Sequence, residues 1–254
     1  MSRAIEKEVL VNAPPATVWD ALTQAEELAR WFPVHAKIEG GPGGSIWLSW
    51  GGGTEGTAPI TSWQPGQRFG WTEARGPVKL AVDFHLSPRG GGTVVRLVQS
   101  GFGDGPEWDA EYHMTQGGWA YFLEHLRVYV ERHRGTPRDI IVYREPITLD
   151  GATAFARLTG ALGVNSADAG SRYEAKTADE DRISGTVLSR QDATGQMGFT
   201  IAELGDALLF LEMEPHPGGC RAGFWLSTYG LPPDRLGDVR TRFGGLYTRA
   251  LGLV

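Results

Sequence analysis

Residues 114–130, MTQGGWAYFLEHLRVYV, decide how the rest of the chain is interpreted. Large apolar residues recur there at steps of three and four positions, which is the spacing of one face of an α-helix. Residues 107–134 contain no proline, so one long helix is predicted over that range. An amphipathic helix must bury its apolar face, and the large partner that this sequence offers is a sheet. The residues of that face are Met114, Trp119, Phe122, Leu123, Leu126 and Val130.

The preceding segment, residues 34–101, has the pattern of short strands and tight turns. Gly, Pro or Ser bounds each strand candidate, and aromatic and β-branched residues fill several of them, as sheets prefer. The predicted strands are 36–39, 45–50, 55–63, 68–73, 78–86 and 93–100. Strands at this spacing predict an antiparallel meander in front of the long helix.

The N-terminal segment supplies one more strand and two short helices. Alternation of side chains predicts a strand over residues 5–11, which Pro14 and Pro15 end. Val18, Trp19 and Leu22 then fall on one helical stripe, which predicts a helix after the prolines, and a second short helix is predicted over residues 25–30.

The same order of elements begins again after residues 135–137, which are predicted to form a linker. Residues 152–159 match residues 16–23 at four of eight positions, and a last amphipathic helix is predicted over residues 233–251. The predicted strands of this half are 139–145, which Pro146 ends, and 171–177, 182–189, 195–203, 207–214 and 220–228.

A repeated order of elements decides the number of domains, so we expect two, over residues 1–135 and 136–254. The expected fold class is α+β, with two tandem domains that are each a curved antiparallel sheet around a long C-terminal helix. Gly117-Gly118 and Gly244-Gly245 lie inside the two long helices. Each helical glycine costs about 1 kcal/mol relative to alanine, which indicates a close backbone approach, a kink or the border of a ligand space.

Composition and charge argue against several classes of function. The formal net charge is −6, whereas phosphate binding requires a basic face, so no nucleic-acid partner is expected. No stretch approaches the roughly 18 apolar residues that a membrane span requires, and residues 1–8 lack the apolar core of a signal peptide. Cys220 is the single cysteine, so an internal disulfide is impossible and a cytoplasmic location is expected.

Several linked motifs occur in the first half of the sequence. They are 11-VNAPPATVWDALT-23, 28-LARWF-32, 63-WQPGQRFGW-71, 93-TVVRLVQSGF-102 and Gly117-Gly118-Trp119 with Phe122-Leu123. In this combination the first half resembles the SRPBCC superfamily, whose START-like domains have the helix-grip fold. More narrowly, it is similar to the domain named for the activator of the heat-shock protein 90 ATPase. Residues 136–254 look like a degenerate second copy, because they lack the Trp-Phe and Ser-Gly-Phe motifs.

The resemblance implies a fold more than an activity. The superfamily includes lipid carriers, plant hormone receptors, aromatase/cyclases of polyketide pathways and co-chaperones, so function must be argued from the site. In this fold, ligands occupy the space between the concave face of the sheet and the long helix. The residues expected to line that space are Trp47, Trp50, Trp63, Trp71, Phe84, His113, Trp119 and Phe122.

The competing interpretation of these aromatic residues is a filled core. Side chains alternate along a strand, so Trp47 and Trp50 point to opposite faces if their strand is regular. Not all of the aromatic residues can therefore line one cavity.

Polar side chains offer few candidates for catalysis. His113 and Asp83 are weak candidates for a general acid or base. Asp83 and His85 share one face of a strand, and they are solvated and inert if Phe84 between them points inward. The sequence lacks the residue spacing of a metal site, a phosphate-binding loop or a nucleophile elbow, so no metal and no cofactor is expected.

Three functions are open at this point. The first is binding of a small hydrophobic or aromatic molecule in the first domain, without chemistry of its own. The second is a cyclase/aromatase-type enzyme that holds a polyketide-like or other natural-product intermediate in one conformation. The third is a chaperone-regulating protein-interaction module. The second domain is expected to pack on the first as an intramolecular pseudo-dimer or to cap its pocket.

Overall fold

The computed structural model describes residues 3–75 and 78–253, and the chain divides into two compact units between Thr136 and Pro137. Each unit contains one antiparallel sheet and ends in a long helix. Antiparallel sheets with segregated helices define the α+β class. The predicted fold class, with two antiparallel sheets that are each followed by a long helix, is confirmed.

The first unit is a strand, two short helices, a meander and a long helix. Its strands are β1 Arg3–Val11, β2 His35–Glu39, β3 Ser45–Ser49, β4 Glu55–Gln64, β5 Arg68–Arg75, β6 Val78–Arg89 and β7 Gly92–Phe102. Its helices are α1 Pro15–Thr23, α2 Ala25–Leu28 and α3 Asp109–Val128. Within the described residues the strand order is β1-β7-β6-β5-β4-β3-β2, so β1 completes the sheet beside the last strand of the meander.

Helix α3 covers the middle of the predicted range of 107–134, and the backbone changes its winding at both ends. Residues Pro106–Trp108 form a 3-10 turn before the helix. Residues Tyr129–His133 form a π-helical turn after it. Periodicity alone could not predict these two turns, because both retain nearly the same spacing of apolar residues.

Two hydrogen bonds set the position of α3 along β1. The Tyr112 hydroxyl donates to the Ala4 carbonyl at 3.2 Å. Beyond the other end of the helix, a Glu131 carboxylate oxygen accepts from the Asn12 backbone N–H at 2.8 Å. The helix therefore runs along β1 in the same direction, from the level of residue 4 to the level of residue 12.

The second unit has a similar order with one strand fewer in its described sheet. Its strands are β8 Arg138–Ile147, β9 Arg172–Lys176, β10 Arg182–Gln191, β11 Gln196–Ile201, β12 Ala207–His216 and β13 Gly219–Tyr229. Its helices are α4 Gly151–Ala161 and α5 Pro233–Leu251. The order β8-β13-β12-β11-β10-β9 again places the first strand of the unit beside the last.

Strand β8 continues through Pro146 to Ile147, so the prediction that Pro146 ends this strand is wrong. Proline lacks the N–H that a central strand needs for hydrogen bonds on both sides. Strand β8 lies at the edge of the sheet and pairs only with β13 among the described strands, with Pro146 opposite Arg221. An edge strand tolerates proline, and the sequence did not reveal which strands lie at an edge.

The glycine pairs of the two long helices have different surroundings. A Cβ atom at Gly118 would come no closer than 3.9 Å to its nearest neighbour, which is Phe122. A Cβ atom at Gly244 would lie 2.8 Å from the Tyr143 hydroxyl, which itself donates to the Arg240 carbonyl at 2.6 Å. Close approach therefore explains Gly244 but does not explain Gly118.

We predict opposite effects on stability for alanine at these two positions. Gly118→Ala should raise the free energy of unfolding by up to about 1 kcal/mol, because alanine restricts the unfolded chain and favours helix. Gly244→Ala should lower it, because overpacking against Tyr143 costs about 1–3 kcal/mol and exceeds that gain. Urea denaturation of the two variants measures both changes, and a stabilising Gly244→Ala would contradict the close approach.

Candidate functional site

One row of residues crosses the inner face of the first sheet, which is the face toward α3. Directly opposed residues on neighbouring strands lie on the same face. From β4 to β1 this inner row is Trp63, Phe69, Phe84, Leu97 and Lys7. The ring of Phe84 meets that of Trp119 on α3 edge-on at a centroid distance of 5.7 Å, so the row faces the helix.

Aromatic rings on this face contact one another in a continuous series, which we call the inner aromatic cluster. Trp119 also stacks on Phe32 at a centroid distance of 5.0 Å. Such ring pairs contribute about 0.5–1.5 kcal/mol each beyond the area that they bury. The members of the cluster are Trp19, Phe32, Trp50, Trp63, Phe69, Trp71, Phe84, Trp119 and Phe122.

The exposure of the rings changes across the inner aromatic cluster. Phe69 and Phe84 are completely or almost completely buried, and Trp119 is 5% exposed. Trp50 and Phe122 retain more exposed area although their rings pack inward on Phe32. The cluster therefore has a buried floor and accessible rings at its margin.

The two tryptophans of the β3 region lie on opposite faces. The Trp50 ring meets Phe32 edge-on at a centroid distance of 5.4 Å, so Trp50 belongs to the inner aromatic cluster. Trp47 lies on the other face, where the Lys37 ammonium stands 5.1 Å from its ring centroid. The expectation that both line one cavity does not agree with this placement, because side chains alternate along β3.

A second row on the inner face contains a buried amide. From β1 to β5 it is Ile5, Gln99, Val82 and Trp71. The Trp119 indole N–H donates to the Gln99 side-chain carbonyl, which satisfies both buried groups. Neither Gln99 nor Lys7 was predicted as a site residue, although the alternation of β1 places Lys7 on the apolar side of the strand.

Asp83 and His85 lie on the outer face of the sheet because Phe84 between them points inward. A carboxylate oxygen of Asp83 accepts from the Arg68 Nε–H at 2.9 Å. A Cβ atom on Gly70 would lie 2.5 Å from the Asp83 carboxylate, so glycine leaves the room for this pair. Asp83, a weak candidate for catalysis, is therefore outside the inner aromatic cluster.

His113 is exposed on α3, and its ring meets that of Tyr112 at a centroid distance of 5.5 Å. The expectation that it lines the cavity does not agree with this placement. An α-helix has 3.6 residues per turn, so residues six apart, such as His113 and Trp119, are roughly 120° apart around the axis. Trp119 faces the sheet, and His113 consequently does not.

A pair of carboxyl groups in the second unit has unusual proton chemistry. Arg144 donates to both oxygens of Glu214, at 2.7 and 2.6 Å. Glu212 accepts from the Trp225 indole N–H at 2.9 Å. Burial of the Glu212 carboxyl, with the nearby charge of Glu214, raises its pKa from near 4.5 to about 8. Glu212 thus keeps a proton beside the ion pair of Arg144 and Glu214.

This pKa predicts a stability that falls as the pH rises from about 5 to about 8. Native Glu212 holds a proton that the unfolded chain releases above its ordinary pKa, so a rising pH favours unfolding. Glu212→Gln should remove this part of the pH dependence, because glutamine mimics the protonated carboxyl. Urea midpoints at several pH values measure the effect, with Glu174→Gln at an exposed position of β9 as the control. An unchanged slope in Glu212→Gln would contradict the assignment.

A groove of about 530 Å³ lies at one end of the second sheet. Its lining residues are Thr148, Asp150, Gly151, Met213, Pro215, Gly218, Gly219 and Cys220. Burial raises the pKa of the Cys220 thiol, and the charge of Asp150 adds to the effect. The thiol is therefore protonated at neutral pH and is a poor nucleophile.

The described part of the chain contains no candidate metal site and no candidate membrane-spanning helix. No three His, Cys, Asp or Glu side chains among residues 3–75 and 78–253 are arranged to hold a metal ion. Of the helices that the structure describes, none combines the length and the apolar composition that crossing a membrane requires.

Comparison with known proteins identifies the first unit. Residues 12–131 match the family model described as Activator of Hsp90 ATPase homolog 1-like protein. No curated protein matches the chain.

Three solved structures to which the chain is similar are all less than 25% identical to it. CalU16 from Micromonospora echinospora is 23% identical, with a TM-score of 0.43, and the match covers 51% of this chain and 76% of CalU16. Aha1 from Colwellia psychrerythraea, whose structure was solved as a dimer, is 22% identical, with a TM-score of 0.45. The match covers 51% of this chain and 96% of Aha1. DynU16, a putative protein of the dynemicin biosynthetic locus, is 21% identical, with a TM-score of 0.46. The match covers 98% of this chain and 97% of DynU16.

The sheet, the long helix and the aromatic face between them define the first unit as a helix-grip domain of the SRPBCC superfamily. Within that superfamily, residues 12–131 belong to the family of Activator of Hsp90 ATPase homolog 1-like proteins. The second unit lies outside the matched residues.

Proposed function

We propose that the first unit binds a small hydrophobic or aromatic molecule between the inner face of its sheet and α3. The observation that supports this proposal is the graded exposure of the inner aromatic cluster. Buried rings such as Phe84 form a rigid floor, and the partly exposed rings of Trp50 and Phe122 offer apolar surface to a ligand. Ligand sites are typically apolar surfaces of this kind with a few polar groups.

The cyclase/aromatase alternative has less support. That chemistry needs an acid or a base beside the bound chain, and His113 and Asp83 were the weak candidates for that role. His113 is exposed, and Asp83 pairs with Arg68 on the outer face. The third alternative, a chaperone-regulating module, has no specific contact or surface in its favour among residues 3–75 and 78–253.

The role of the second unit stays a prediction. Its descent from the first as a degenerate copy stays a prediction, and its association with the first as an intramolecular pseudo-dimer is tested by a chain that is cut after Gly135. If the two units depend on each other, the isolated first unit should show a lower urea midpoint than the same unit in the full chain. Equal midpoints would contradict the pseudo-dimer.

The binding proposal predicts that an inner and an outer tryptophan of the β3 region differ in their effect on affinity. Trp50→Leu should weaken the binding of 2-naphthalenemethanol, a neutral two-ring probe, by about tenfold, because one aromatic contact of about 1.4 kcal/mol is lost. Trp47→Leu should leave the affinity unchanged, because Trp47 lies on the outer face. Isothermal titration calorimetry of the full chain measures both affinities.

The outcomes separate a binding surface from a filled core. Benzyl alcohol and 9-anthracenemethanol extend the test to smaller and larger rings. If none of the three alcohols binds the wild-type chain, the inner aromatic cluster is a core and the proposal is wrong. Equal losses in Trp50→Leu and Trp47→Leu would also contradict it.

A further inference from the structure

We propose that Lys7 binds an anionic group of the ligand, so that the first unit takes a hydrophobic or aromatic carboxylate. This inference rests on the proposed function of the inner aromatic cluster and adds to it the charge of the molecule that is bound.

Lys7 lies on the apolar side of its strand. On β1, its neighbours on the same face are Ile5, which is 1% exposed, and Val9, which is 8% exposed. Its cross-strand partner is Leu97, which is fully buried. Lys7 is itself half-buried, so an ammonium group is held at the border of an apolar surface.

The carboxylates that neighbour Lys7 in sequence are committed elsewhere. Glu6 and Glu8 point to the outer face, where Arg96 donates to Glu6 at 2.6 Å and lies 4.0 Å from Glu8. Glu73 has the inner orientation on β5, but β5 is three strands away, which is about 14 Å. Within residues 3–75 and 78–253, the side chain of Lys7 forms no hydrogen bond or salt bridge.

Helix α3 brings no carboxylate to Lys7 either. The contacts of Tyr112 with Ala4 and of Glu131 with Asn12 set the level of the helix along β1. Interpolation between them places Lys7 beside residues 117–120, Gly-Gly-Trp-Ala. Gly118 leaves space on the helix, since a Cβ atom there would have nothing nearer than 3.9 Å.

Burial lowers the pKa of Lys7 because its surroundings destabilise the ammonium group. A ligand anion would compensate this cost, since an opposite charge within about 4–6 Å favours the charged form. Gln99 adds a second donor. It lies two residues from Leu97 on β7 and is thus a diagonal neighbour of Lys7, and its carbonyl is already engaged by Trp119.

The inner row sets the distance between the charge and the rings. Phe84 lies two strands from Lys7, which is about 10 Å at a strand spacing of ~4.8 Å. A molecule with its carboxylate at Lys7 and an apolar body of one or two rings therefore extends toward Trp119 and Phe84, whose buried rings have to move apart to admit it. A ligand without the anion would leave the ammonium group of Lys7 without an opposite charge, as in the free protein.

The experiment compares two probes of the same shape on the full chain. Calorimetric titration with 2-naphthoate and with 2-naphthalenemethanol should show that the wild-type chain prefers the carboxylate by about tenfold or more, as expected for a charge-assisted hydrogen bond. Lys7→Met should abolish this preference and leave the affinity for the alcohol nearly unchanged. Lys7→Arg should retain the preference, because it retains the charge.

Lys79→Met is the matched control, since Lys79 is an exposed lysine of β6 and its removal changes the net charge equally. It should leave the preference for naphthoate intact. A urea midpoint for each variant establishes that the chain is folded, and Lys7→Gln replaces Lys7→Met if the latter does not fold.

The possible failures are distinguishable. If the alcohol binds and naphthoate binds no better, or if Lys7→Met keeps the preference, the role of Lys7 is overturned and the proposed function stands. If the preference is lost equally in Lys79→Met, the effect is one of net charge and the role of Lys7 is also overturned. If neither naphthoate nor any of the three alcohols binds, both proposals fail together.

Discussion

The packing of α3 on the concave face of the first sheet is the constraint on which the first unit depends. Trp119 joins the two layers, because its ring stacks on Phe32 and meets Phe84 while its indole N–H donates to Gln99. The same rings that hold the helix in place form the surface proposed for a ligand. Stability and binding are thus linked in this unit, and only residues at the margin of the cluster, such as Trp50, can change one with little effect on the other.

Local sequence predicted the elements better than their surroundings. Helix α5 begins and ends where predicted, because Pro233 starts it and Gly252 with a φ of 69° ends it, and both signals are local. The π-helical turn after α3 depends on packing along the chain, so periodicity could not predict it. Lys7 was missed for a related reason: the sequence gives its side of the strand, whereas its lack of a carboxylate partner depends on the register of the sheet and the level of the helix.

In both units the first strand pairs with the last strand of the sheet, but the two units differ in the chemistry of their polar residues. The inner face of the first sheet carries an aromatic cluster with Lys7 and Gln99 at one side. The second sheet carries the pair Glu212 and Glu214, in which burial keeps one carboxyl protonated. The fold therefore specifies a layered frame, and the few polar residues placed on it distinguish the two units.

The pairing of β1 with β7 has a consequence for synthesis on the ribosome. Val11 pairs with Thr93 across the two strands. Ala4 forms its hydrogen bond with Tyr112, and Asn12 forms its hydrogen bond with Glu131. Contacts between residues so far apart form slowly, and the set is complete only when Glu131, which follows α3, has left the exit tunnel. Until then the nascent chain exposes its tryptophan-rich strands, whose apolar side chains can associate with other nascent chains. The order of translation thus makes the first unit most vulnerable to aggregation just before its last helix emerges.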